Sequence, residues 1–428
     1  MKKVRANEKN ERRLLSEVMM EVKKEVKSES YKERNKTAKK HFTRSRKLGF
    51  VAIIMFLLNL VKKAVQIELD KYMEIQKKKE RISQQALSKA RQHIRPEAFK
   101  EILEISQNKA MKSDELKRYK GYRLFGIDGT LLNIEHTSEL TAHFGIIKNK
   151  GCRARASILC ELSDGIIIDA SLEKFATGER QLALRHIKKF SNIKGEKDIL
   201  IFDRGYISRE LIAEMTEVGI NFIIRVPRKY NTEIDKTNKA DFFVTLKYEK
   251  KNYNVRVIKV DLESEPEVLI TNLPETEFKA HEFKSLYFKR WPIETKYNML
   301  KNKLKIETLS GKTLISLYQD FYAIMFISNI VSMAKMSSDE IISEDNEDKE
   351  LKYEYKTNEN VLINKLKDRL VLALLTDNDK KSIRIINSIV KDAAKNRIPI
   401  KPNRRFPRLH ESLRCRRRAL KKFIKSCF

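Results

Sequence analysis

Three carboxylates in this chain stand at positions where an acid could do chemistry. Asp128 closes the apolar run Tyr122–Ile127 (YRLFGI) and opens Asp128-Gly129-Thr130, while Asp203 closes Asp198–Phe202 (DILIF) and leads into Arg204-Gly205-Tyr206. Glu294 lies between Arg290 and Lys301 in a segment with helical spacing. Acids at the ends of buried strands emerge on a rigid frame, where ligands gather in open α/β sheets. An Asp at such a junction also serves local turn hydrogen bonding, so neither Asp alone defines a site. Carboxylates are hard oxygen donors of the kind Mg2+ prefers. Two such ions about 3.5–4 Å apart activate an attacking oxygen and stabilise a leaving one at phosphorus. Crowded without metal, at least one should show a raised pKa from like-charge repulsion.

Around Glu294 the pattern has two sides. At about 100° per residue, Tyr287, Arg290, Glu294 and Lys301 fall within about 60° on a helical wheel, with Ile293, Tyr297, Leu300 and Leu304 on the adjoining face. That polar stripe is either a solvated face, with Lys–Glu pairing of roughly a few tenths of a kcal/mol, or one carboxylate flanked by phosphate-binding cations. Pro292 removes a helix donor and marks a helix start or a kink. Trp291, the only tryptophan, suits stacking on or wedging beside an unpaired base, or filling the core as a large aromatic.

The elements that must position these residues follow from periodicity. Residues 1–47 read as a charged segment, helical in part and loosely ordered. Residues 48–119 read as a helical unit: the apolar run Gly49–Val61 as a buried helix, then Ile67-Leu69-Tyr72-Met73, then SQQALSKARQHI, whose small and basic residues suit either a phosphate backbone or a solvated face. After Lys120 come a strand ending at Asp128, a hairpin of 156–162 and 165–170, a helix over 173–190, the strand ending at Asp203, a helix near 208–217 and the strand 221–226, an order that fits a mixed α/β layer over 120–335. Residues 227–280, with DFFVTLKY, YNVRVIKV and EVLITNL, predict a β-rich insertion of mainly antiparallel strands. Helices are predicted over 283–306, 316–335, 359–376 and 380–395, with an acidic linker at 336–358 and a helical, basic region over 359–428.

Composition sets the partner. The 428 residues carry 90 Lys+Arg against 58 Asp+Glu, a formal net charge of +32, and 41% hydrophobic residues. A bias this large costs self-repulsion unless a polyanion relieves it, which points to nucleic acid, although a lysine-rich proteome would supply the same bias. Cys152, Cys160, Cys415 and Cys427 form no CxxC pair and have no His at zinc-finger spacing, so they read as reduced thiols in a cytoplasmic protein. The longest apolar run is shorter than the ~18 residues of a membrane span, and the charged N-terminus has no apolar signal core, so neither a membrane nor export is expected.

Tyr287-x2-Arg290-x3-Glu294-x6-Lys301 resembles the Tyr-Arg-Glu-Lys signature of bacterial insertion-sequence transposases in the DDE superfamily, the insertion sequence four type. Asp128-Gly-Thr and Phe202-Asp203-Arg-Gly-Tyr206 resemble that family's two Asp motifs in the right order, and SKARQHIRPEAF and RRFPR are also similar to family sequences. The likeness covers most of residues 45–410. It implies an RNase H-like mixed-sheet core with a β-rich insertion, flanked by helical N- and C-terminal regions. It further implies Asp128, Asp203 and Glu294 as catalytic metal ligands for Mg2+, with Mn2+ able to substitute, and Arg290 and Lys301 on DNA phosphates. Tyr287 would contact the backbone beside the cut. The implied partner is double-stranded DNA, bound as terminal inverted repeats, cleaved at the element ends and joined to target DNA by a dimer on paired ends. Hairpin intermediates are one route. The rivals are a nuclease or resolvase with the same triad and a non-catalytic DNA-binding descendant. A haloacid-dehalogenase-type phosphatase, suggested by LFGIDGTLL, would need an Asp where Gly126 stands.

Overall fold

Alternating apolar runs between Arg123 and Thr271 build one sheet, and most of the molecule is arranged around it. The computed structural model describes residues 13–44, 46–59, 64–77, 81–148, 150–260, 267–367 and 369–401. The strands are β1 (Arg123–Asn133), β2 (Ile146–Ile147), β3 (Gly151–Glu161), β4 (Ile167–Lys174), β5 (Asp198–Phe202), β6 (Asn221–Val226), β7 (Asp241–Tyr248), β8 (Lys251–Val260) and β9 (Glu267–Thr271). β1 pairs antiparallel with β3, and β3 with β4; on its other side β1 runs parallel to β5, and β5 to β6. This is the RNase H-like mixed sheet expected. The hairpin of β3 and β4 is longer than its apolar cores suggested.

One feature of the sheet departs from expectation and a second adds to it. β1 does not end at Asp128 but continues to Asn133, because Gly129–Asn133 keep pairing with Ser157–Arg153. The strand-rich block after β6 does form antiparallel strands, yet it is not a separate sheet. β9 pairs antiparallel with β6, β8 with β9 and β7 with β8, so the block extends the core sheet.

The helices before β1 are α1 (Arg13–Lys27), α2 (Glu29–Asn35), α3 (Phe50–Leu57), α4 (Val65–Ile75), α5 (Gln84–Arg91) and α6 (Glu97–Lys112). The described part of the first 47 residues is not loosely ordered. Leu14, Leu15, Val18, Met19, Val22 and Val26 of α1 recur at helical spacing and are buried, and burial of each such side chain favours the helix by about 1.5–3 kcal/mol. Most of its charges occupy the opposite face, which is why composition alone suggested a solvated segment; Lys23 is buried and paired with Asp379. The apolar run beginning at Gly49 forms the buried helix α3; Leu60 and Val61, at its end, lie outside the described residues.

Within and after the sheet come α7 (Ser138–Phe144), α8 (Glu179–Phe190), α9 (Arg209–Glu217), α10 (Thr232–Lys236), α11 (Phe283–Phe288), α12 (Pro292–Asn298) and α13 (Leu314–Asn346), then α14 (Glu359–Leu366), α15 (Arg369–Leu375) and α16 (Asp379–Ala394). α8 starts six residues later than expected. The helix expected over 283–306 is broken: Arg290 N and Trp291 N bond back only three residues, Pro292 opens α12, and Met299–Lys303 form a π turn. α13 runs through the first half of the expected acidic linker, with Ser337, Ser338 and Ile342 buried and the carboxylates along its outer side. Asp339 is held there by Lys335 and by Thr357 of β10 (Tyr355–Thr357), which pairs with β11 (Arg397–Pro399). The expected 359–376 helix is split at Lys367, whose backbone is extended. α13 is long and apolar enough to cross a membrane, but 78% of its most apolar window is buried inside the protein. The basic tail with Arg404, Arg405 and Arg416–Arg418, and Cys415 and Cys427, lie outside the described residues; Cys152 and Cys160 are buried and free.

Candidate active site

The register of β1 on β5 sets the first half of the site. Arg123 pairs with Asp198 and Gly126 with Ile201, an offset of 75 residues that carries Asp128 to the level of Asp203 just past the end of β5. Strand alternation then sorts the neighbours of β1 onto two faces. Phe125 stacks edge-on against Phe190 of α8. Gly126, on the opposite face, leaves room for α12: a Cβ there would stand 3.1 Å from Leu162 Cδ2 and 3.5 Å from Ile293 Cδ1. Asp128 and Thr130 share the face of Gly126. The glycine that removes the phosphatase nucleophile therefore allows α12 to approach the strand.

α12 and the π turn are fastened to that face by two polar side chains. The Tyr297 hydroxyl donates to the Asp128 carbonyl oxygen at 2.7 Å, and Lys301 Nζ donates to Thr130 Oγ1 at 2.7 Å and to the Leu131 carbonyl at 3.0 Å. Glu294, one turn before Tyr297, accepts from Arg290 Nη2 at 2.7 Å. Arg290 is mostly buried, and it is close enough to Asp203, Glu294 and Tyr287 for all three to favour its charged form, against the opposing effect of its burial. The polar stripe is thus neither purely solvated nor continuous helix. It bends over β1 at the level of the two Asp residues.

Asp128 is pushed up to about 6, chiefly by burial; Glu179 and Glu294 raise it further, while the Gly129 N–H and the Arg290 guanidinium oppose the rise. The expected elevated carboxylate is present, but desolvation rather than crowding is its main cause. The Tyr287 hydroxyl is buried without a hydrogen-bond partner, and burial pushes its pKa up to about 12. Trp291 is 49% exposed and Phe288, three residues before it, is 56% exposed, which removes the core-aromatic alternative for Trp291.

Sequence reasoning missed Glu179 and Arg155. Glu179, at the start of α8, reaches the other side of β1, where its Cγ and Oε1 lie 3.5 and 3.6 Å from the position a Gly129 Cβ would take, and Arg155 of β3 holds it through a hydrogen bond. No local spacing signals the pair, since it depends on the pairing of β1 with β3. Behind it, His186 bridges Ser157 Oγ at 3.0 Å and Asp169 Oδ2 at 2.7 Å in the buried interior. This Ser-His-Asp string is enclosed, so it braces α8 against β3 and β4 and faces no substrate.

A divalent cation fits the triad in kind. Asp128 Oδ1 accepts from the Gly129 N–H, Asp203 Oδ1 from the Arg204 N–H and Glu294 Oε1 from Arg290, leaving the second oxygen of each without a hydrogen bond among the described residues. These are hard donors of the sort Mg2+ prefers. Among the described residues no three His, Cys, Asp or Glu side chains are drawn together as a closed metal site, and Glu294 is committed to Arg290.

A mixed sheet with Asp128 on β1, Asp203 just past the end of the neighbouring β5 and Glu294 on the helix packed against β1 has the RNase H-like arrangement. Residues 119–330 match the family model described as Transposase DDE domain. That match supports a DDE-type transposase, a group that in general uses divalent metal ions and cleaves and joins DNA. Among solved structures the chain is similar to a piggyBac transposase synaptic complex with hairpin DNA, at 12% identity over 94% of this chain and 87% of that one, with a TM-score of 0.46. A search of curated proteins finds no match.

Proposed function

We propose that this chain is a transposase of the insertion sequence four type that binds the terminal inverted repeats of its element, cleaves the ends and joins them to target DNA. The observation that carries the reading is the register that sets Asp128 level with Asp203, with the Glu294 helix fastened across β1 by Tyr297 and Lys301, inside the stretch that matches the transposase domain. Asp128, Asp203 and Glu294 would hold Mg2+, or Mn2+ in its place, which when bound supplies charge stabilisation and an activated oxygen for in-line displacement at phosphorus. Arg290 orients Glu294 and neutralises the acidic cluster before metal enters. The Tyr287 hydroxyl, enclosed beside Arg290 in the free chain, would reach a backbone oxygen of the DNA only when that turn opens, Lys301 adds positive charge at the border, and Trp291 presents an aromatic face to a base. Residues 48–119 serve as the DNA-binding unit, a homodimer holds paired ends, and the protein works in the bacterial cytoplasm on chromosomal DNA.

The test measures cleavage and end-DNA affinity side by side. Asp128→Asn and Glu294→Gln should reduce cleavage in Mg2+ to background while leaving affinity for element ends unchanged or higher, since removing negative charge from a DNA-facing site cannot weaken attraction to phosphate. Lys301→Ala should lower the salt slope of affinity by up to about 0.9 and also loosen the π turn from β1. Unchanged cleavage by either carboxylate variant overturns the ligand assignment. Wild-type nicking without joining to a second duplex favours the nuclease rival.

A further inference from the structure

Residues 36–47 (KTAKKHFTRSRK) contain Lys36, Lys39, Lys40, Arg44, Arg46 and Lys47 and no acid. A run of this kind is commonly a solvated tail, but here the described residues, 36–44 and 46–47, belong to a turn whose first part, 36–42, is pinned. Lys36 bridges to Ile94 as an isolated antiparallel pair, Thr37 N donates to the His93 carbonyl at 3.0 Å, and Arg95 N donates to the Asn35 carbonyl at 2.8 Å. The His41 ring lies over His93 with centroids 3.8 Å apart, and His41 Nδ1 is 2.8 Å from Thr37 Oγ1. Phe42 takes a left-handed φ of 57°, a conformation costing an L-residue roughly 1–2 kcal/mol, and its ring packs edge-on against Phe50 at 5.4 Å and His93 at 6.4 Å. The fold thus spends apolar and aromatic contacts on holding the turn in place. The cations then project outward: Lys39, Lys40, Arg44 and Arg46 are exposed, as are Lys89 of α5 and Arg95 just beyond it.

The charge pattern around the turn sharpens the contrast. Several other cations of the N-terminal helices are matched with acids: Lys27 with Asp377, Lys32 with Glu29, Arg34 with Glu25 and Glu101, and Lys109 with Glu17 and Glu21. Among the described residues none of Lys39, Lys40, Arg44, Arg46, Lys89 or Arg95 has a carboxylate partner. A pinned array of unneutralised cations pays its mutual repulsion continuously, and a polyphosphate backbone relieves it. The only apolar side chain of the turn larger than alanine, Phe42, points into the protein, so nothing there would enter a lipid layer.

We infer that this turn, with Lys89 and Arg95, is a docking surface for the phosphate backbone of duplex DNA, a second contact separate from the carboxylate site. The contacts that hold it lie within the helical unit, and it reads backbone rather than sequence, because long flexible cations without a planar partner set the register and carry no base code. The inference rests on the reading of the chain as a DNA-processing protein.

The test uses the full chain with Lys39, Lys40, Arg44 and Arg46 all changed to Gln, and separately Arg44→Gln/Arg46→Gln alone. Affinity for a duplex of arbitrary sequence is measured in EDTA from about 50 to 200 mM salt. The quadruple variant should lose up to about 3.6 from the log–log slope and the double variant about half of that, with thermal unfolding unchanged. Neutralising the paired Lys27 and Lys109 should alter the slope less than the double variant does. An unchanged slope in the quadruple variant, or a loss confined to anionic phospholipid vesicles, overturns the proposal. Cleavage by the Asp128 and Glu294 variants is read in a separate assay, so either idea can fail alone.

Discussion

At the residue scale, Trp291 separates a functional aromatic from a structural one. It opens the turn before Pro292, stands half exposed, and lies beside Arg290, whose guanidinium is nearly covered. An exposed indole adds little to folding, so Trp291→Ala should leave unfolding free energy within about 0.5 kcal/mol of wild type. If it stacks on a base at the cut, the same change should weaken binding to a duplex with an unpaired end base by roughly 1–3 kcal/mol and leave a fully paired duplex almost unaffected. Fluorescence quenching of this single tryptophan reads the contact directly, and equal losses on both duplexes would exclude stacking. The residues that the sequence revealed are those whose role is tied to local context: Asp128 and Asp203 beside apolar runs, and Glu294 at fixed spacing from Arg290 and Lys301. Glu179, Arg155 and the unpartnered Tyr287 hydroxyl were hidden. Their environment is made by chain segments far apart in sequence.

At the element scale, the β3–β4 hairpin carries a pH-sensitive acid. Glu161 ends β3 with its carboxylate capping Ser163 N and Asp164 N at 2.8 Å each, and burial, reinforced by Asp164, pushes its pKa up to about 7. A carboxyl raised in the folded state from an ordinary 4.5 binds its proton more tightly there than in the unfolded chain. Its contribution to stability is therefore complete below pH 4.5 and is lost as pH rises through 7. The loss amounts to roughly 3 kcal/mol at most, counting about 1.4 kcal/mol per pKa unit. Denaturant unfolding of wild type and Glu161→Gln between pH 5 and 8 should show wild type losing stability relative to the variant, and parallel curves would contradict the assignment. Elements also show what periodicity misses. The wheel put Glu294 and Lys301 on one polar stripe bordering a buried face, yet it could not foresee the break before Pro292 or the π turn. In the acidic stretch after Lys335, charge density masked Ser337, Ser338 and Ile342, which continue the buried side of α13. Short strands and hairpins were legible because alternation needs only one buried face; the pairing of β9 with β6 was not, because both readings of 241–271 show the same alternation.

At the scale of the whole molecule, one buried guanidinium is a hub between the helical unit and the start of α13. Arg91 donates from Nε to Gln319 Oε1 at 2.8 Å, from Nη1 to Ser310 Oγ at 2.7 Å, and from Nη2 to the Ser316 carbonyl at 3.0 Å and Asp320 at 2.7 Å. Gln319 Nε2 returns two bonds to the carbonyls of Arg91 and Ile94. Arg91→Met keeps the stem but strands part of this network, which should cost about 3–5 kcal/mol in unfolding free energy. Hydrogen exchange should then rise in α5 and the start of α13 before it rises in β1 and β5; uniform loss of protection would show that the guanidinium serves overall stability and not the docking of the two layers.

The run of β9, β8 and β7 onto β6 has a consequence for how this architecture can change. A cassette that merely decorates a core can be shortened or exchanged between lineages without penalty. Here excision of 241–271 would uncover Ile223–Val226 of β6, whose freed amide and carbonyl groups are a template for another copy of the same strand. A chain shortened in this way should therefore self-associate, so the outermost strands guard solubility as well as shape.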